Sequence, residues 1–504
     1  MRDLQFNGKK ILSIALTGIM LVPLLTACSF GGKASDKEER VLRIATSELY
    51  DGEDEYFRQQ FTNIFEFNNP NIKIEIVSVR DESEKFNYYY GNDDSQSAKT
   101  FKDPVQTLQE MIEGPNPPDL IAMSYDQMSI MLEKNLLSPL DSKMAEDKFD
   151  TTDYVPAVYE GIKNLSPDGK MYALAPIFNS SALVYNKKLF ADAGVEPPSD
   201  NMTWDDIFAL AQRVSKPDAD KPISGFSFTP YRWGDAFEDM NVYTNSLQLR
   251  YFDEAGEKMT VDTPEWEKVW NKLTQLQKDK ITPSVNEQFN YEENRGPFSH
   301  DRFMSGRVAM SIISYGQLGQ IIDANKNSSQ IKDYTPIDFD VVTIPSHPEN
   351  PGVVPNFNMS GLMGISSKAT NPEDAWKLIK FVNSPEWAKI KAGGSYELTA
   401  RKSYIKPKNG ETFNIEAFYN VKPSSFMGND YYRMYREKPN LQKAMNPGRN
   451  ELQEVLAGNK SVKDGLKSWQ EQGDNILQQI KANPNGPATD SGASSGSTTI
   501  VPVR

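Results

Sequence analysis

Few side chains in this sequence are spaced for covalent chemistry. The 504 residues include two histidines, His300 and His347, and one cysteine, Cys28. Neither histidine has a metal-binding partner at helical spacing, and a single cysteine cannot build the usual Cys and His zinc patterns. A G-x-S-x-G string occurs at Gly492–Gly496, "GASSG", inside a run of small polar residues. A nucleophile elbow needs a strand before that string and a helix after it, and this segment offers neither. No G-x-x-x-x-G-K-[ST] phosphate loop is present. Carboxylates are plentiful, so a glycosidase pair stays open, but a solvated acidic face is the simpler reading. "KPDADKP" (Lys216–Pro222) and "FDEAGEK" (Phe252–Lys258) lack the ligand spacing of an EF-hand and read as turns. No cofactor and no metal site is expected.

Cys28 has another use. Arg2, Lys9 and Lys10 precede an uncharged run from Ile11 to Ala27, which closes on Pro23, Thr26 and Ala27. Basic, apolar, then small is the order of a secretory signal, and the apolar run is short for a membrane span. "LTAC" (Leu25–Cys28) matches the bacterial lipobox, in which the chain is cut before the cysteine and the thiol is lipidated. Residues 1–27 are therefore expected to be a signal peptide and 28–40 a lipidated tether. The mature protein would be held on the extracytoplasmic face of the cell membrane by its acyl chains. Without a second cysteine no intramolecular disulfide can form, so packing must hold the exported part.

The elements that would position any binding site read as α/β. Val41–Ser47 and Asn71–Val79 read as strands, and the second alternates Ile72, Ile74 and Ile76 with Lys73 and Glu75. Between them Phe57, Phe61, Ile64 and Phe65 form a helical stripe. Pro118–Ser124 reads as a short buried strand, followed by a helix. Thr203 with Asp206 forms a capping box before the stripe Trp204, Ile207, Phe208, Ala211 and Val214. Thr263-Pro264, Asn371-Pro372 and Ser384-Pro385 open three more helices. Trp266, Trp270, Trp376, Trp387 and Trp469 are assigned to packing. Ser83–Thr100 reads as a surface loop and 484–504 as a disordered tail. No internal repeat is evident. The length exceeds what one core serves, so two lobes are expected. The net charge of −14 becomes −16 without residues 1–27, a poor match to nucleic acid. No second apolar run of spanning length occurs.

Five blocks together resemble the family 1 extracellular solute-binding proteins. They are "PPDLIAMSYDQMSIMLEKNLLSPLD", "DGKMYALAPIFNSSALVYNKKLFADAGVEPPSDNMTWDDIFALAQ", "FMSGRVAMSI", "SGLMGISSKATNPEDAWKLIKFV" and "LTARKSY", which come in family order within a resemblance that covers roughly Val41 to Ile480. In the last block Thr399 stands where a proline is common. The resemblance implies a two-lobed, periplasmic-binding-protein-like α/β fold with a hinge. Lobe 1 would be 41–178 plus 341–396, and lobe 2 would be 179–340 plus 397–483. The chain would cross near Pro176–Asn179, Ile344 and Glu397–Thr399. It implies a monomeric, non-enzymatic receptor that closes on a sugar or oligosaccharide and hands it to an ABC transporter permease. A sensing or adhesive surface lipoprotein is the alternative, and a glycan-acting enzyme ranks third.

Sugar recognition wants aromatic faces for C–H surfaces and amide, carboxylate or guanidinium groups for hydroxyls. Trp233 lies in the non-periodic stretch "FTPYRWGDAF", outside any helix stripe. Tyr315 follows the predicted strand of "FMSGRVAMSI", where the family often places a ligand-contacting aromatic. Tyr125 and Asp126 follow the strand "DLIAMS", at the strand end where α/β proteins tend to bind ligands. Phe178 and Asn179 lie at the first crossover, and Asn358, Ser360 and Gly361 in "NFNMSG". Arg401, and Asp51 with Tyr50 and Glu53 after the first strand, complete the expected ligand contacts.

Overall fold

The computed structural model describes residues 38–50, 54–80, 103–232, 234–284, 296–354, 357–394, 396–407, 410–423, 434 and 438–483. Met1–Glu39 and Arg40–Arg504 are separate compact units, and the account below concerns the second. Cys28, Asp51, Glu53, Trp233, the 83–100 segment and the tail after Asn483 lie outside the described residues, as does the side chain of Tyr50.

The chain begins with β1 (Arg40–Tyr50) and a helix, α1, built from Asp54–Phe57, a π turn at Arg58–Thr62 and Asn63–Asn68. Then follow β2 (Ile72–Arg80), α2 (Pro104–Glu113), β3 (Leu120–Met123), α3 (Tyr125–Glu133), β4 (Leu137–Ser138), α4 (Asp141–Glu146) and α5 (Pro156–Lys163). The middle holds β5 (Ala173–Leu174), β6 (Ile177–Asn179), β7 (Ser181–Asn186), α6 (Lys187–Ala193), α7 (Trp204–Val214), β8 (Ser224–Ser227), α8 (Ala236–Thr244) and α9 (Pro264–Lys278). Next are β9 (Val308–Ser314), α10 (Tyr315–Lys326), β10 (Phe339–Val342), β11 (Val353–Val354), β12 (Asn358–Ser360) and β13 (Leu362–Ser366). Last come α11 (Pro372–Val382), α12 (Pro385–Lys391), β14 (Leu398–Thr399), β15 (Lys422–Pro423), α13 (Asn446–Leu456) and α14 (Val462–Ala482).

Two larger sheets carry the fold. The first runs β2-β1-β3-β13-β4, with β5 also on β13. Its β1 is parallel to β2 and β3, and β13 is antiparallel to β3. The second runs β10-β7-β9-β8. Successive side chains of a strand point to opposite faces. On β7, Ala182 and Val184 join one apolar core, while Leu183 and Tyr185 join the other. The second sheet therefore lies between the two cores.

Local signals explain most helices. Each expected cap is in place: Thr203, Thr263, Asn371 and Ser384 all accept a first-turn backbone N–H. The stripes of α7 and α9 are buried, each large side chain contributing roughly 1.5–3 kcal/mol relative to exposure. Trp376, Trp387 and Trp469 pack in the cores as well. The helix α1 departs from expectation at Ile64, which is 38% exposed while Phe57, Phe61 and Phe65 are buried. The π turn, bonded i to i+5, winds through a smaller angle per residue, so residues four and eight apart stay aligned and the one seven along faces outward. Buried Asp119 ties the first sheet to α11, accepting from the backbone N–H groups of Arg43, Thr370 and Asn371.

Both weak calcium candidates close as turns. Lys216 pairs with Ile223 and Phe252 with Met259. The Asp253 carboxylate accepts from the N–H of Glu257 at 2.8 Å. Among the described residues no group of three or more His, Cys, Asp or Glu could hold a metal ion. No helix among them is long and apolar enough to cross a membrane.

Candidate functional site

A three-stranded antiparallel sheet, β12-β6-β14, brings three distant stretches together. Asn358 faces Asn179, Met359 and Leu398 flank Phe178, and Ser360 and Thr399 flank Ile177. Alternation then sorts the side chains. Phe178, Met359 and Leu398 share one face and are all buried in the first core. Asn179, Asn358 and Ser360 share the other face, joined by Glu397, the residue before β14. The Ser360 hydroxyl donates to the Glu397 carboxylate at 2.7 Å, reaching across β6. Asn358 is exposed, and Asn179, Ser360 and Glu397 are half-buried. The amide oxygen of Asn179 is buried with no hydrogen-bond partner among the described residues. Three of the expected ligand contacts thus converge, with Glu397 as a carboxylate that the sequence reading passed over.

Two expected contacts are turned to other uses. Phe178 is fully buried and stacks on Phe357, with centroids 5.0 Å apart and planes within 13°. Arg401 is 3% exposed. Its Nε and Nη2 donate to the Asn383 carbonyl at 2.9 and 2.7 Å, and Nη1 donates to the Asp150 carbonyl at 2.6 Å. The guanidinium also lies over the Tyr154 ring at 4.4 Å. Neither side chain presents a group toward the polar sheet face. Gly361 follows β12 with φ +65°, and a Cβ there would come within 2.6 Å of the Phe61 ring. Its place is explained by backbone conformation and by that close approach.

The remaining expected residues sit at two helix starts built alike. Ser124-Tyr125-Asp126-Gln127 follows β3, and Ser314-Tyr315-Gly316-Gln317 follows β9. In both, the serine side chain accepts from the glutamine N–H and the glutamine side chain accepts from the serine N–H. This capping box satisfies two otherwise unpaired helix donors, and it sets a tyrosine at the first helical position each time. Gln127 also accepts from the buried Ser47 hydroxyl at the end of β1. The shared Ser-Tyr-x-Gln pattern was visible in the sequence, although no repeat was read there.

The two tyrosines are not free rings. Tyr125 donates to the Gly161 carbonyl at 2.8 Å, near Met359 on the apolar side of the sheet. Burial, then the neighbouring Asp126, pushes its phenol up to about 12. Burial likewise raises the Asp126 carboxyl above the usual range. Tyr315 is 5% exposed and meets Phe418 edge-on at 5.6 Å. Its N–H donates to the Ser180 carbonyl at 3.1 Å, which fixes α10 one residue from Asn179.

An accessible ring lies beside it on another segment. Tyr396 is 70% exposed. It passes over Gly316, where an added Cβ would meet its Cδ1 at 3.2 Å and its Cα at 3.6 Å. Tyr396 precedes Glu397 in the chain, and its ring lies over the first turn of α10. The sequence signal was modest: a tyrosine between a helix-ending glycine pair and a short strand. Lys391 interacts electrostatically with Glu397, donates to Gln60 at 2.9 Å and lies 5.3 Å from the Trp387 ring.

A cavity lies among the ends of β8, α8 and α9. Arg232 and Gly234, the neighbours of Trp233, line it with Phe228, Asp239 and Arg302. Desolvation pushes the Asp239 carboxyl up to about 7, against the opposing pull of Arg302.

With this geometry in view, known proteins place the chain. Residues 47–389 match the family model described as bacterial extracellular solute-binding protein. The chain is 23% identical over 390 residues to the sn-glycerol-3-phosphate-binding periplasmic protein of Escherichia coli, covering 73% of this chain and 81% of that one. It is 25% identical over 210 residues to the mannitol-binding protein of Pseudomonas aeruginosa, covering 41% and 46%. The chain spans 62% of the length of the curated Brucella abortus relatives it matches, putative binding proteins 24% identical over 290 residues. Its fold is similar to that of a Rhizobium etli sugar transporter in an open conformation, with TM-score 0.56 and 19% identity, over 86% of this chain and 98% of that one. The family match covers well over half of the residues, so this chain belongs to the bacterial extracellular solute-binding protein family.

Proposed function

We propose that this protein is a lipid-anchored receptor that binds a sugar or a related polyol between two lobes and delivers it to an ABC transporter permease. The observation that carries the reading is the polar face of the three-stranded sheet. Asn179, Asn358, Ser360 and Glu397 offer amide, hydroxyl and carboxylate groups on or next to strands from three separate parts of the chain, and the exposed Tyr396 precedes Glu397. Those are the groups that hydroxyls and sugar C–H faces require. A relative named for mannitol and a structural neighbour named as a sugar transporter support the same ligand class. The mechanism is a population shift. A ligand touching both lobes only when they close favours the closed form, which the permease then reads. Acylation at Cys28 would keep the receptor near its membrane partner and raise its effective concentration there.

The test is a thermal-shift screen of the purified soluble body against monosaccharides, oligosaccharides and polyols. A ligand at about 100 times its Kd adds about 2.7 kcal/mol of stability. Saturable stabilisation by a member of the panel, with loss of its uptake on gene deletion, is expected. Uptake that persists undiminished in the deletion would reject the import role.

A further inference from the structure

We infer that Asn179 is the group by which the sheet takes a ligand hydroxyl, beside the Glu397 carboxylate that disfavours an anionic ligand, and that its amide oxygen is held without a partner at a cost in stability. The inference rests on the receptor reading above and names the chemistry of its ligand. Asn179 lies on the central strand of the three, directly opposite exposed Asn358. Its amide oxygen is shut away from solvent, yet no donor of the described residues reaches it. A buried polar group left unsatisfied destabilises the fold, whereas an apolar side chain of the same shape does not. The neighbouring side chains do not relieve it. The Ser360 hydroxyl, a possible donor on the same face, is turned to Glu397.

The missing partner must be a donor, and a ligand hydroxyl is one. The hydroxyls of a phosphate ester donate as well, so Asn179 itself does not separate the two classes; a phosphate dianion placed at this face only accepts. It would also meet the Glu397 carboxylate on the same face. Lys391, the ammonium that senses Glu397, is held by Gln60 and the Trp387 ring. The polar face therefore favours neutral polyols and sugars over their phosphate esters, although one relative is named for sn-glycerol 3-phosphate.

The experiment uses the soluble mature protein and its Asn179→Leu variant, with mannitol, maltose, maltotriose and sn-glycerol 3-phosphate as probes. Without any probe, Asn179→Leu is expected to raise Tm by about 1–2 °C, because an unsatisfied amide is replaced by an apolar group of similar size. A lowered Tm, or a variant that does not fold, would show that the amide has a structural partner and would overturn the inference while leaving the receptor reading intact. With probes, an uncharged one is expected to stabilise the wild type and to bind the variant about tenfold or more weakly. Equal affinity in both proteins would overturn the assignment of Asn179. Stabilisation by sn-glycerol 3-phosphate alone would overturn the ligand class. A wild type that responds to no probe would sink the inference together with the sugar-receptor reading, whatever the Tm of the variant.

Discussion

At the scale of single residues, exposure separates the two tyrosines that meet at Gly316. Tyr315 is buried against Phe418, and Tyr396 is 70% exposed. Tyr315→Ala should cost about 3 kcal/mol of folding stability, as truncation of a buried aromatic does. Tyr396→Ala should leave stability within about 0.5 kcal/mol and weaken sugar binding by about 1–3 kcal/mol, by analogy with bases stacked on aromatics. Urea unfolding and calorimetric titration on the same samples distinguish the two. If Tyr396→Ala binds as the wild type does, the exposed ring is no part of the site. His347 carries a pH prediction. Its Nε2–H donates to the Tyr243 carbonyl at 2.7 Å. Burial lowers its pKa, outweighing the opposing effects of that carbonyl, Glu349 and Asp205. The unfolded chain then takes up the proton more readily than the folded one. Its contribution is full above the ordinary value near 6.5 and declines as the pH falls below it. Stability curves from pH 8 to pH 5 should slope less in His347→Gln, and identical slopes would dismiss the role.

At the scale of elements, capping decides where the helices begin. Ser314→Ala removes the acceptor for the Gln317 N–H and should cost about 1 kcal/mol. It should also raise amide exchange in the first turn of α10, where Tyr315 is fixed. Unchanged stability and exchange would mean that the Ser180 carbonyl contact alone holds that turn. Thr203, Thr263, Asn371 and Ser384 were legible as caps because each stands before a clear apolar stripe. Ser124 was not, because the residues on both sides of it are mostly buried and the stripe has no edge; Ser314 was passed over although buried and half-buried residues alternate after it. The outward turn of Ile64 was hidden for a different reason. A π turn alters the angular period without altering composition, so a count at 3.6 residues per turn places that side chain on the wrong face.

At the scale of the whole molecule, the receptor reading makes two predictions. A saturating ligand should reduce the radius of gyration in solution scattering, because closure brings the lobes together. Superimposable curves with and without ligand would argue against a closing receptor. Cys28→Ser should abolish acylation and release the protein from the cell surface, while the soluble body still binds its ligand. Lipid recovered on the Cys28→Ser protein would exclude Cys28 as the anchor.

The sequence by itself determined the class of fold and the family, because helix stripes, caps and strand alternation are local patterns and the motif blocks keep their order along the chain. Asn179, Asn358 and Ser360 could be nominated from their places in that order. Only the tertiary structure decided which nominees share a surface. Residues 177–179, 358–360 and 398–399 are far apart in sequence, and their pairing register sends Asn179 to the polar face and its neighbour Phe178 into the core. Arg401 shows the same limit. Its type suits a sugar hydroxyl, but the Asn383 and Asp150 carbonyls that claim its donors come from other segments. A one-residue step along a strand reverses the side a residue faces. That side is fixed by long-range hydrogen bonds that no local pattern records.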